Sequence, residues 1–440
     1  MRKLLSANEA IARGAYEAGV KVATAYPGTP STEILENMPQ YERIDCEWSP
    51  NEKVALEVAI GASIAGARSL TAMKHVGVNV AADPLLTAGY IGVNGGLILV
   101  SADDPEMHSS QNEQDNRYYS LIAKVPMLEP SDSQEAKDFT KLGYELSEKY
   151  DTPVILRLTT RVAHSKSLVE LEEPQEIVMK DYVKDAVKYV MTPAYARGRH
   201  IKVEERRLAL TEYAKTTQAN RIEMGDTDVG YIVSGISYNY MKEICPRASI
   251  LKLGLLWPLN EELIKSFASK VDKVVVIEEL EPVLETQIKA MGIACDGKNI
   301  IPRKGELSEI RLKKALNLEV TGGDYSAKKD IPVRPPILCP GCSHRGVFYM
   351  LKKLDLTVMG DIGCYALGSA PPFQALDAIV CMGASVNMAW GMEKARGAEF
   401  AKKTVGVLGD STFFHTGING LIELVYNKAK STIIVLDNSI

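Results

Sequence analysis

At 440 residues, 46% hydrophobic and 24% charged, the chain is too long for one compact core, and domain-size statistics suggest roughly two to four domains. A formal net charge of −5 gives no electrostatic reason for nucleic acid or an anionic membrane as partner, and no window nears the ~18 consecutive apolar residues of a membrane span. Seven cysteines, an odd number scattered through a large chain, lack the pattern of a disulfide framework and indicate a reduced, cytoplasmic protein.

Ser6 followed by Glu9 reads as a capping box opening a helix, not as part of a signal peptide. That helix runs from about Asn8 to Gly19, and VKVATAY follows as a strand. The turn Pro27-Gly28-Thr29-Pro30-Ser31 leads into another helix. A strand near Ile44 to Glu47, a helix from Asn51, the strand LTAMKH, a helix after Ala82 and the buried strand GLILVSA come next. TPVILRLTT closes the set. Strands alternating with helices of this length predict a parallel sheet covered on both faces, a first domain over 1–165.

Residues 166–225 are rich in Lys and Glu, helical around Pro193 to Lys215, and read as a solvated connector. A smaller doubly wound unit is expected over 226–304, from VGYIVSG, ASILKLG, a helix after Leu259, and KVVVIEE. The polar, proline-punctuated stretch 305–336 reads as a linker. A third α/β unit over 337–440 has the expected strands LTVMGDIG, AIVCMG, TVGVLGD and STIIVLDN. The expected architecture is α/β, three doubly wound parallel-sheet domains.

The chemistry concentrates in this last unit. TVGVLGDS sets Asp410 where an apolar strand runs out, and ligands of open α/β sheets sit beyond the carboxyl ends of strands. Gly409 allows a sharp turn and close approach to a phosphate, and the helical pattern INGLIELVYNKA behind Ser411 can aim amides at the same anion. The next strand, STIIVLDN, ends at Asp437-Asn438, so one strand-helix-strand unit returns Asn438 beside Asp410. The Asp410 carboxylate, the Asn438 amide oxygen and the Ile440 carbonyl could then serve magnesium, with diphosphate oxygens and water completing six ligands. The bland alternative, a plain strand-end turn, loses ground because the Asp-Asn pair closes the very next strand.

This arrangement resembles the thiamine diphosphate motif, a GDG followed by NN, with Ser411 at the second glycine and Asp437 at the first asparagine. Such enzymes need a carboxylic acid against the aminopyrimidine ring. NEKVALEVAIGASIAGAR fits that need. Glu52 stands in the first turn after Asn51, backed by the small residues Ala55, Ala59, Gly61 and Gly66. A glutamate at a helix start is otherwise an ordinary dipole-stabilising surface residue.

AYPGTPSTEI, TAMKHVGVNVAADPL, SADDPEMHSSQNEQDNR, RLTTRVAHS, CPGCSHRG, DIGCYALG and GDSTFFHTGINGL together resemble the α subunit of indolepyruvate ferredoxin oxidoreductases. The resemblance implies pyrimidine-binding, smaller transketolase-C-terminal-like and diphosphate-binding domains. It implies oxidative decarboxylation of aryl pyruvates with CoA to the aryl-acetyl-CoA and CO2. Electrons would pass through [4Fe-4S] clusters to ferredoxin, with a β subunit as partner in a homodimer or heterotetramer.

Thr29 matches a threonine near the substrate carboxylate; His75 and His108 are candidates for the substrate cavity, and Lys74 for offsetting charge. Asp103, Asp104 and Arg117 carry no assigned role. Cys339, Cys342, Cys364 and Cys381 permit a four-cysteine zinc or iron–sulfur site by count, but Cys381 sits in an apparent buried strand. The resemblance instead sets Cys342, His344 and Cys364 around the cofactor. It also implies a ferredoxin-like, cluster-bearing segment that does not appear among these residues. Two other readings stay open: another thiamine-dependent 2-oxoacid oxidoreductase or non-oxidative decarboxylase, and a catalytically silent thiamine-binding or assembly subunit.

Overall fold

The computed structural model describes residues 1–176, 178–320, 332 and 334–438, which divide into two compact units, Met1–Thr321 and Gly322–Ile440. The first unit opens with β1 (Arg2–Ser6), β2 (Val22–Ala25), β3 (Asp45–Trp48), β4 (Ser69–Lys74), β5 (Leu97–Asp103), β6 (Met127–Leu128) and β7 (Val154–Thr159). It continues with β8 (Lys166–Glu170), β9 (Arg221–Glu223), β10 (Asp226–Ser234), β11 (Ala248–Leu253), β12 (Leu255–Trp257) and β13 (Val274–Ile277).

Among the described residues a seven-stranded sheet runs in the order β12-β6-β7-β5-β4-β2-β3. Strands β4, β5 and β7 are buried at every position, as parallel strands covered on both faces must be. The capping box is present: Ser6 Oγ accepts from the Glu9 amide, and Glu9 accepts from the Ser6 amide at 2.6 Å. The helix it opens, Ala7–Glu17, packs along Ser133–Tyr150 on one face of the sheet. There Gly14 is needed because a Cβ would come within 2.7 Å of the Lys137 carbonyl.

A four-stranded sheet, β13-β10-β11-β9, forms the smaller α/β part of the same unit. Strand β12 follows β11 directly yet pairs with β6, so a stretch inside 226–304 completes the larger sheet. The Lys- and Glu-rich 166–225 region is also more tied down than its composition suggests. Strand β8 pairs with β1, and the helix Pro193–Tyr213 buries Val203, Arg206 and Leu210. Arg206 donates to the carbonyls of Gly89 and Asp151, at 2.5 and 2.6 Å. Long basic side chains here cover and cap the core rather than only facing water.

The second unit holds β14 (Thr357–Met359), β15 (Thr404–Gly409) and β16 (Thr432–Leu436), a parallel sheet in that order. The expected strand AIVCMG does not form: only Ala378 bridges to Met359, and Cys381 is exposed. Gly383, at φ 81°, turns the chain out of extended geometry into the helix Ala384–Arg396. The Asp361 carboxylate caps the start of that helix, whose first amides have no partner within the helix. It accepts from the amides of Gly383 and Ser385 at 2.9 and 3.0 Å. Among the described residues no helix is long and apolar enough to cross a membrane.

Candidate active site

In the second unit, β15 and β16 pair in register up to Gly409 opposite Leu436. Asp410 and Asp437 are therefore the next residues on two hydrogen-bonded neighbours, and Asn438 follows. Asp410 begins a short helical turn, Asp410–Thr412, and its Oδ1 accepts from the Ser411 amide at 2.9 Å. The chain then winds through a wider turn, Phe413–Gly417, into the helix Ile418–Tyr426. Asp410 is partly buried, while Ser411, Asp437 and Asn438 are exposed. Ile440 lies outside the described residues.

Tyr365 organises this edge and was not singled out from the sequence. Its ring presses on the backbone of two glycines: a Cβ would meet Tyr365 Cε1 at 2.5 Å from Gly409 and at 2.6 Å from Gly363. The Tyr365 hydroxyl lies 2.6 Å from the Ile362 carbonyl and 2.5 Å from Thr412 Oγ1. His344, buried at the start of the helix His344–Lys353, meets the Tyr365 ring edge-on at 6.2 Å. Cys342 packs into the apolar cluster that contains Tyr365, and Cys364 precedes Tyr365 on the surface. The CPGCSH, DIGC and GDS stretches thus meet around one tyrosine. Cys381 is not part of that cluster. Among the described residues no three His, Cys, Asp or Glu side chains are arranged to hold a metal ion, which leaves the four cysteines without that geometry.

In the first unit β2, β3, β4, β5 and β7 are all parallel, so the turns beyond them share one edge. Asn51 Oδ1 accepts from the Val54 amide at 2.9 Å and starts the helix Glu52–Ile64 with Glu52 as its first residue, 5% exposed. Ala55 and Ala59 are buried, and the Ala55 carbonyl accepts from Thr24 Oγ1 at 2.7 Å, so the small residues seat this helix on the sheet. Gly61 faces open space, and Gly66, at φ 101°, meets the Lys180 backbone. The glycine that serves Glu52 is Gly77. A Cβ there would lie 2.5 Å from Glu52 Oε1 and 2.6 Å from Cγ, so the carboxyl group rests on bare backbone.

Gly77 belongs to the helix His75–Val80, which starts at the end of β4. His75 is fully buried, with Nε2 3.2 Å from the Asn112 carbonyl; burial pushes its imidazole pKa down. It is packed into the edge at the end of β4. Lys74 donates to the Ser109 carbonyl at 2.6 Å, and burial pushes its ammonium down too. Thr29 is exposed, and its carbonyl accepts from Ser109 Oγ at 3.2 Å. His108 is half exposed. Its Nε2 lies 3.5 Å from Glu306 at a cavity of 310 Å³, which Thr160, Arg161, His164 and Ser165 also line.

Asp103, Asp104 and Arg117 now have roles. Arg117 is fully buried and donates to Asp115 at 2.5 Å, to Glu278 at 2.5 Å and to the carbonyls of Glu279 and Glu281 at 2.8 Å. Arg157 bonds Asp103 at 2.8 Å and pairs closely with Glu129. These ions join the larger sheet to the end of β13 in the smaller one. Burial raises the Asp103 carboxyl to about 6 and Glu279 to about 7. Asp104 instead anchors the following loop, accepting from the Ser109 amide and from Ser110 and Thr160 hydroxyls at 2.9, 2.5 and 2.8 Å.

A family model for pyruvate flavodoxin/ferredoxin oxidoreductase thiamine-diphosphate-binding domains matches residues 13–224. One for the C-terminal thiamine-pyrophosphate-binding domain matches 361–440, and one for an indolepyruvate oxidoreductase domain matches 242–306. Indolepyruvate oxidoreductase subunit IorA of Archaeoglobus fulgidus is 43% identical, over 99% of this chain and 74% of its own length. The subunit of the same name from Pyrococcus horikoshii is 41% identical over the same shares. Among solved structures, a 2-oxoglutarate:ferredoxin oxidoreductase from Magnetococcus marinus shares the fold, with TM-score 0.57 and 18% identity over 67% of this chain and 61% of that one.

Proposed function

The chain belongs to the indolepyruvate oxidoreductase family as an IorA-type subunit, and from that premise we propose that it oxidatively decarboxylates aryl pyruvates, indolepyruvate above all. The products are the aryl-acetyl-CoA and CO2, with CoA consumed and two electrons passed through iron–sulfur clusters to ferredoxin. The observation that carries this reading is the register of β15 and β16, which brings Asp410 and Asp437-Asn438 out side by side.

The residues fit thiamine diphosphate with magnesium. Asp410 and the Asn438 amide offer hard oxygens at one sheet edge, with Ile440 proposed as a third ligand through its carbonyl. Gly363, exposed beside the Tyr365 ring, leaves main chain for an approaching diphosphate, while Gly409, buried under the same ring, ends β15 with no side chain ahead of Asp410. Ser411 adds a hydroxyl, and Cys342, His344 and Cys364 surround the tyrosine that holds this backbone in shape. Glu52 would meet the aminopyrimidine ring as its proton donor and acceptor, on a surface kept close by Gly77. When bound, thiamine diphosphate supplies the carbon nucleophile and takes up the electron pair left as CO2 departs.

Thr29 and His108 stand at the carboxyl edge where the 2-oxoacid would lie, while His75 acts from behind, neutral and buried, by fixing the loop that carries His108. The partner is the second subunit of the same oxidoreductase, in a homodimeric or heterotetrameric assembly. Co-expressed with that subunit, and supplied with thiamine diphosphate, magnesium, CoA and a one-electron acceptor dye, the chain is expected to convert indolepyruvate to acyl-CoA and CO2 in equal amounts. CO2 release that proceeds without acceptor or CoA would point to a simple decarboxylase instead.

A further inference from the structure

The loop from Asp104 to Asn116 is the least ordinary stretch of backbone at the first unit's catalytic edge. Glu106 and Met107 are consecutive non-glycine residues with φ of 67° and 57°, a conformation that side chains rarely adopt and that surrounding structure must enforce. It is enforced from both sides. Inward, Asp104 gathers Ser109, Ser110 and Thr160, while Lys74 donates to the Ser109 carbonyl. Outward, Glu106 accepts from the Glu306 amide and from Arg311, both at 3.1 Å.

The tethers also locate the loop. Ser109 Oγ bonds the Thr29 carbonyl, and the Asn112 carbonyl meets His75, which opens the helix whose Gly77 underlies Glu52. The loop therefore reaches from the Thr29 turn to the helix beneath Glu52. Its rigid tip presents an apolar side chain to solvent: Met107 is 45% exposed among Glu106, His108 and Ser109. The same tethers hold a flexible, polarizable thioether outward, a side chain well suited to the edge or face of an aromatic ring.

We propose that Met107 is a specificity-determining residue that packs against the aryl group of the 2-oxoacid. This rests on the function proposed above, with the substrate at the Thr29 and Glu52 edge. The ring contributes contact with Met107, while the 2-oxo and carboxylate groups, common to all substrates, are held elsewhere.

The test compares indolepyruvate with pyruvate in the assembled enzyme, for the wild type, Met107→Ala and Met107→Leu. Met107→Ala is expected to lower kcat/KM for indolepyruvate by roughly tenfold, mainly through KM, while leaving that for pyruvate within about twofold. Met107→Leu, which keeps the apolar volume, should recover most of the loss. An unchanged ratio between the two substrates, or an equal fall for both, would overturn the role of Met107 while leaving the reaction standing. A wild-type enzyme that oxidises neither 2-oxoacid would overturn the underlying function and this proposal with it.

Discussion

Glu52 and Gly77 show how narrow the tolerance is at single positions. Gly77→Ala would drive a methyl group into the Glu52 carboxyl, and if Glu52 carries the proposed proton transfer, a displacement near 1 Å can cost about 100-fold in rate. Turnover should therefore fall by about that factor while the melting temperature changes little; full activity in Gly77→Ala would show that Glu52 has no fixed position to lose. Asp103 makes a pH-dependent prediction. Its ordinary pKa is 3.8 and burial raises it to about 6 in the folded protein, so folding holds a proton that the unfolded chain has released. That contribution is fully present below 3.8 and is lost as pH climbs through 6. Denaturation of wild type and Asp103→Asn between pH 4 and 7 should show the wild type losing ground to the variant as pH rises, and a constant difference would contradict the burial-driven shift. The place of Glu52 at a helix start was legible in the sequence because Asn51 caps the helix and small residues follow. Gly77 and Tyr365 were not, because a glycine under a carboxyl and a ring over two glycines are contacts between distant segments.

Whole strands were the most readable elements and irregular ones the least. LTAMKH, GLILVSA and TVGVLGD each name a buried parallel strand by composition, and each forms. AIVCMG has the same composition but keeps only the single bridge from Ala378 to Met359, because Gly383 turns the chain and Asp361 captures the amides that follow. Asp361, fully buried, also accepts from its neighbour Ile362 at 2.8 Å, so three backbone donors depend on it. Asp361→Ala would leave these amides buried and unpaired, a loss of about 3 kcal/mol. Chemical denaturation should report that loss in the second unit's transition, with weaker thiamine diphosphate affinity; a variant as stable as wild type would mean the amides find other partners.

At the scale of the molecule, both compact units bring their candidate residues to the carboxyl ends of parallel strands, as open α/β sheets do. The sequence disclosed this principle, since strand ends and turn residues are local signals. It did not disclose that β12 leaves its own neighbourhood to pair with β6, or that Arg117 and Arg157 bury themselves among five carboxylates to join two sheets. The β12–β6 pairing and the Arg117–Glu278 bond each span more than a hundred residues, and the Arg157 bonds to Glu129 and Asp103 span 28 and 54, separations at which periodicity carries no information. The claim on which everything else rests is that Asp410 and Asn438 mark a magnesium-diphosphate site. Calorimetric titration of the assembled protein with thiamine diphosphate and magnesium tests it most directly. Saturable binding by wild type and Glu52→Gln, lost in Asp410→Ala, is the expected result; undiminished binding by Asp410→Ala would contradict it.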